Sequence, residues 1–185
     1  VLDVFGITNL QLGSAFSLYG LFAMAAYLLG GPLADRYSAR TLMATSLALT
    51  GAGGFVYVQI PTPGALTLLF GFWGITTILL FWSPLIRATR SWGGVQAQGR
   101  AFGILDGGRG LFAAVLGSAT VALFSAFMPE DTAAATLPQR TAALQWVIMT
   151  FTAFTGLAAA LVWFVLPDGG RGPSAPRHGA RALWR

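Results

Sequence analysis

The sequence predicts an all-α membrane protein of five transmembrane helices, and three observations lead there. Hydrophobic residues make up 55% of the chain and charged residues 9%, with a mean hydropathy of +0.68, which are not the statistics of a soluble domain. Five long apolar runs, each about the ~20 residues a hydrocarbon core requires, are separated by short polar gaps. The eleven basic residues are all Arg and, Arg109 apart, lie in those gaps, at span ends or in the tail rather than on a stripe. That distribution argues against nucleic acid as a partner and for basic loops that orient the chain in a lipid bilayer.

Residues 1–13 form a short amphipathic lead-in to the first run, residues 13–34. A polar hinge over residues 31–43 follows, carrying Asp35, Arg36 and Arg40. The second run, residues 41–60, ends where Pro61 and Pro63 remove backbone donors and force a turn before Gly64. The third, residues 65–86, contains Gly71, Gly74 and Pro84 and closes on Arg87 and Arg90. A polar connection over residues 88–98 leads to the fourth run, residues 100–128; a loop with Glu130 and Asp131 then precedes the fifth, residues 142–166. Residues 1–166 thus read as one helical bundle. Residues 167–185 are rich in Gly, Pro and Arg, cannot bury a core, and are expected to be a disordered basic tail lying near anionic headgroups or the start of a central linker.

Orientation follows from the arginines. With the runs as spans, one side collects Arg36, Arg40, Arg87, Arg90, Arg100, Arg171, Arg177, Arg181 and Arg185, and the other only Arg140. This bias puts the hinge and C-terminus in the cytoplasm and residue 1 outside a cell membrane. The chain has 24 glycines in 185 residues, against a usual ~7%. Those of the fourth run, Gly103, Gly107, Gly110 and Gly117, recur at near-helical spacing, as faces for close helix packing do. Trp82, Trp92, Trp146 and Trp163 fall near span ends, where interfacial anchors sit, and Trp73 is expected deep in its span.

Several chemistries find no support. There is no Cys, and the single His is His178 in the tail, so Cys-ligated zinc, a thiol nucleophile, histidine metal sites and a Ser-His-Asp triad are excluded. No GxxxxGK[ST] or GxGxxG string is present, so the sequence implies neither a nucleotide cofactor nor an enzyme.

The hinge, Gly31-Pro-Leu-Ala-Asp-Arg-Tyr-Ser-Ala-Arg40, resembles the signature loop between the second and third helices of the major facilitator superfamily, G-x-L-A-D-R-x-G-R-[RK]. Gly31, Leu33, Ala34, Asp35 and Arg36 match and Arg40 fills the last basic position, whereas Ser38 replaces the second Gly and Ala39 the first Arg of the closing pair. More loosely, residues 82–110 are similar to the end of helix four and the start of helix five in transporters of the organophosphate:phosphate-antiporter type. The resemblance implies helices two to six of a twelve-helix transporter, with helix one and the second half missing from the chain; the odd span number and the start at Val1 point the same way. The motif also recurs between helices eight and nine, which leaves a second register, helices eight to twelve, open.

By this resemblance the hinge is a gate element, with Asp35 as latch and Arg36 and Arg40 as its partners. A carboxylate favours helix N-terminal amides and pairs with Arg, which agrees. From the residues themselves, Asp106 and Arg109 stand out: they lie inside a span at i, i+3, on one helix face, where ionisable groups are costly and face a partner or a wet cavity. They can pair with each other structurally, or Arg109 can meet an anionic substrate and Asp106 accept a coupling proton. Arg87 is a further substrate candidate, though its place at a span's cytoplasmic end favours snorkelling, and Tyr19, Tyr27 and Trp73 are aromatic candidates for stacking on a solute, with ordinary helix packing the favoured reading of each. The expected function is that of a fragment of a secondary active transporter moving a small solute, an organic anion or phosphorylated metabolite by the subfamily resemblance. The competing expectation is a truncated product or structural subunit that assembles with other helices and transports nothing.

Overall fold

The computed structural model describes residues 1–127 and 135–167. The helices begin where the sequence supplies caps. A one-turn helix α1 (Leu2–Phe5) closes on Gly6, whose φ of 59° favours a residue without a side chain. Thr8 and Gln11 then form a capping box that opens α2 (Asn9–Arg36). The Ser38 hydroxyl accepts from the Thr41 amide and caps α3 (Ala39–Tyr57). Pro63 occupies the first position of α4 (Pro63–Thr77), where a missing N–H costs nothing. After α4 the same rod widens into a π-helical segment (Ile78–Trp82) and continues as α5 (Ser83–Gly93). Beyond a turn at Gly94 come α6 (Gln98–Ala126) and, opened by a Thr136–Gln139 capping box, α7 (Leu137–Val165).

The π segment has a local cause. Pro84 has no N–H for the Leu80 carbonyl and its ring crowds that oxygen; an extra residue in the preceding turn relieves the clash without breaking the rod.

Two sequence expectations change. The polar hinge over residues 31–43 is mostly helix, because α2 runs through the motif to Arg36 and α3 starts at Ala39; the turn is Tyr37 and Ser38 alone. Among the described residues four stretches are long and apolar enough to cross a membrane, namely α2, the rod Pro63–Gly93, α6 and α7, so the expected five spans are four clear ones plus α3. α3 differs because it lies between α4 and α7 and meets them with Ser46, Gly51, Gly53 and Gly54, small or hydroxylated residues that suit helix neighbours better than lipid. The predicted tail from residue 168 onward, with Glu130 and Asp131, lies outside the described residues.

α2 packs along α4 and α3 along α7, with α3 joining the two pairs. Glycines permit the approach: a Cβ at Gly74 would sit 2.5 Å from the Tyr19 carbonyl oxygen, and one at Gly54 would collide with the Thr152 hydroxyl. At one end α1 folds over the bundle, burying Phe5 and Ile7 against Leu66, stacking Phe5 on Tyr57 at 5.0 Å and setting Asp3 3.6 Å from Arg140. α6 is the exception. It touches α5 and α7, yet none of its most apolar stretch is buried.

Candidate functional site

At the hinge end, Arg87 on α5 reaches the last turn of α2. Its guanidinium donates to the Ala34 carbonyl and, at 3.4 Å, to the Tyr37 carbonyl, and stands 4.0 Å from the Asp35 carboxylate. These are carbonyls that a helix C-terminus leaves without partners, where a cation is favoured. The ion pair of Asp35 in this structure is therefore with Arg87, not with Arg36 or Arg40. Arg36 is exposed in the last turn of α2, and Arg40 lies over the Trp163 ring at 5.1 Å, tying the start of α3 to the end of α7. Gly31 lies on the open side of α2, with room for a side chain.

Deeper in, a ladder of hydroxyls joins α2, α3 and α4 just before the π segment. Ser46 Oγ donates to the buried Thr76 carbonyl at 2.6 Å, Thr50 Oγ1 bonds Thr76 Oγ1 at 3.0 Å, and Trp73 Nε1 donates to the Thr50 carbonyl at 3.1 Å. Thr77 Oγ1 donates to the Trp73 carbonyl, so the Tyr19 phenol is the donor in its 3.1 Å bond to Thr77 Oγ1. Each polar group here finds a protein partner, as a water-poor environment requires. Tyr19 and Trp73 are thus held within the ladder, whereas Tyr27 is exposed on α2. Trp73 also borders a cavity of about 280 Å³ between α3, α4 and α7, lined further by Thr50, Tyr57, Phe151 and Thr152.

The charged pair on α6 forms a separate site. Arg109 Nη2 lies 3.6 Å from Asp106 Oδ1, and the guanidinium stacks 5.0 Å above the Trp82 ring at the end of the π segment. Both side chains stay more than half exposed, 57% for Arg109 and 64% for Asp106. With a rise of 1.5 Å per residue from Gln98, they stand about 12 and 16 Å along a helix of 29 residues. Gly103, Gly107, Gly110 and Gly117, expected to pack another helix, border open space instead. Among the described residues no group of three His, Cys, Asp or Glu could hold a metal ion.

The structure thus joins Arg87 to Asp35, and Asp106 to Arg109, but leaves these pairs apart from each other. Sequence reasoning missed the C-terminal cap by Arg87, the Trp82 platform and the hydroxyl ladder. Pro84 together with the hydroxyl-rich Thr76–Thr77 step was the available signal for the last two.

The major facilitator superfamily model matches residues 1–185. The chain is 29% identical to the inner membrane protein YqcE of Escherichia coli over 163 residues, 88% of this chain and 36% of that protein. It is 28% identical to the E. coli inner membrane protein YihN over 125 residues, 68% of this chain and 30% of that one. An uncharacterized MG294 homolog of Mycoplasma pneumoniae is 31% identical over 117 residues, 58% of this chain and 25% of the relative. The matches therefore span about a third or less of these relatives' lengths. No solved structure matches the chain.

Proposed function

Because this chain belongs to the major facilitator superfamily, a family of multi-pass membrane transporters, we propose that it forms part of a secondary active transporter moving a small solute by alternating access. The observation that carries this reading is the Asp106–Arg109 pair. An ion pair more than half exposed about a third of the way along α6 is costly against lipid, and it is accommodated where α6 faces a wet path or another helical body. The uncovered flank of α6 fits the same arrangement, with further helices completing the transporter. Arg109 recommends a solute with an anionic group, an organic anion or phosphorylated metabolite. The hinge and the C-terminus are cytoplasmic on the arginine count, and Asp35, held beside Arg87, serves as the gate contact toward the remaining helices. The test is uptake of a panel of labelled solutes, simple carboxylates, amino acids and phosphate esters, into proteoliposomes holding the product of the whole reading frame, at least one of which is expected to enter. Accumulation above empty vesicles, reduced at least tenfold by Arg109→Gln, is the expected result. Uptake of every solute at the level of empty vesicles leaves the non-transporting reading instead.

A further inference from the structure

We propose that Asp106 and Arg109 together form a subsite for a zwitterionic group, an ammonium and a carboxylate close together on one small solute. The inference rests on the transporter reading and narrows its substrate class by the charge pattern of the pair.

The two side chains present opposite charges side by side on one face of α6. Their 3.6 Å separation is longer than the ~2.7–2.9 Å of a closed charge-assisted hydrogen bond, so the pair is loosely joined and each member keeps capacity for another partner. Trp82 lies against the guanidinium at 5.0 Å, and the Arg109 side chain remains 57% exposed. On the flank of α6 that carries the pair, side chains added at Gly103, Gly107 or Gly110 would meet no atom within 4 Å, so among the described residues none covers this face.

Charge accounting then selects the ligand. A simple anion on Arg109 takes the partner of Asp106 and leaves a lone carboxylate inside an apolar helix, where an unpaired charge is costly. A simple cation on Asp106 strands Arg109 in the same way. A dianionic phosphate ester adds two negative charges to a pair whose net charge is zero. Among the described residues, Arg87 is engaged at the end of α2, Arg90 lies in the last turn of α5, Arg100 lies in the first turn of α6, and Arg140 pairs with Asp3. A zwitterion leaves no charge alone. Its carboxylate takes the edge of Arg109 and its ammonium takes Asp106, giving four alternating charges, and in an α-amino acid the two groups are spaced much as the two side-chain ends are.

The experiment is equilibrium binding to the purified product of the whole reading frame in nanodiscs. The probes are tritiated glycine, serine, leucine and phenylalanine, each compared with its N-acetyl form, which keeps only the carboxylate, and its methyl ester, which keeps only the ammonium. The expected result is that at least one amino acid binds tenfold or more tighter than either half-form. Asp106→Asn and Arg109→Gln then each weaken the amino acid at least tenfold, and Asp106→Asn leaves the N-acetyl form unchanged or tighter. Arg109→Lys, which keeps the charge, retains part of the binding and separates recognition from misfolding. An N-acetyl form that binds as tightly as its parent, or Arg109-dependent uptake of phosphate esters with no amino acid bound, overturns the zwitterion while leaving the anion reading intact. Failure of every probe to bind, with both variants transporting normally, makes the pair structural and removes both.

Discussion

Arg87 closes α2 from a different helix: its guanidinium donates to the Ala34 and Tyr37 carbonyls across about fifty residues of sequence, with Asp35 4.0 Å away. The two halves of this contact differ in weight. Arg87 is 30% exposed and its bonds satisfy backbone groups, whereas Asp35 is 80% exposed and meets it only at the edge of ion-pair distance. Arg87→Gln is expected to destabilise the bundle by about 1–3 kcal/mol, and Asp35→Asn by under about 1 kcal/mol. Unfolding of the two variants in detergent micelles gives both values. Equal losses would mean that the ion pair rather than the cap holds this junction.

Asp35 also shows what a sequence can reveal. The motif around it identified the family, and the apolar runs picked out the helices, because both are local or additive properties. Its partner was sought among Arg36 and Arg40, which are near in sequence; Arg87 becomes its neighbour only once α5 lies against α2. The departure at Ser38 was legible as a departure but not in its meaning, which is that the hydroxyl caps α3 where the family pattern has Gly. Asp106 and Arg109 were placed on one face by spacing alone, and the pair forms. Trp82 beneath Arg109 depends on the π segment, an extra residue in a turn that periodicity does not register.

That segment bears on Ser46. The Thr76 carbonyl at its entrance is held by the Ser46 hydroxyl at 2.6 Å, and Ser46 is 1% exposed. Ser46→Ala removes the donor and leaves a buried carbonyl short of a partner, an expected loss of about 1–3 kcal/mol. Ser46→Thr keeps the donor and adds only a methyl group. If Ser46→Ala and Ser46→Thr unfold at the same temperature, the bond adds nothing to stability.

The α2–α4 contact makes a steric prediction. A methyl group at Gly74 would meet the Tyr19 carbonyl, a backbone atom that cannot swing aside as a side chain can. Gly74→Ala should therefore cost about 1–3 kcal/mol by overpacking. Gly107→Ala on α6, where a Cβ meets nothing, should leave thermal stability unchanged in the chain itself. A loss at Gly107 equal to that at Gly74 would contradict the open flank of α6.

These 185 residues contain no cysteine, so a thiol introduced into the 185-residue chain is its sole label site and makes the proposed orientation measurable. Tyr37 is exposed in the turn between α2 and α3, and Gly64 is exposed in the first turn of α4 with open space around it, at the opposite end of α3. A maleimide that cannot cross membranes, added to intact cells, should label Gly64→Cys and spare Tyr37→Cys. In inverted vesicles the pattern should reverse, because the arginine count puts the hinge inside. The Asp35–Arg87 contact lies beside the α2–α3 turn, so the experiment decides which side of the membrane any gating there would control. Labelling of Tyr37→Cys in intact cells would turn the bundle over and put Asp35, and with it the proposed gate, at the outer surface.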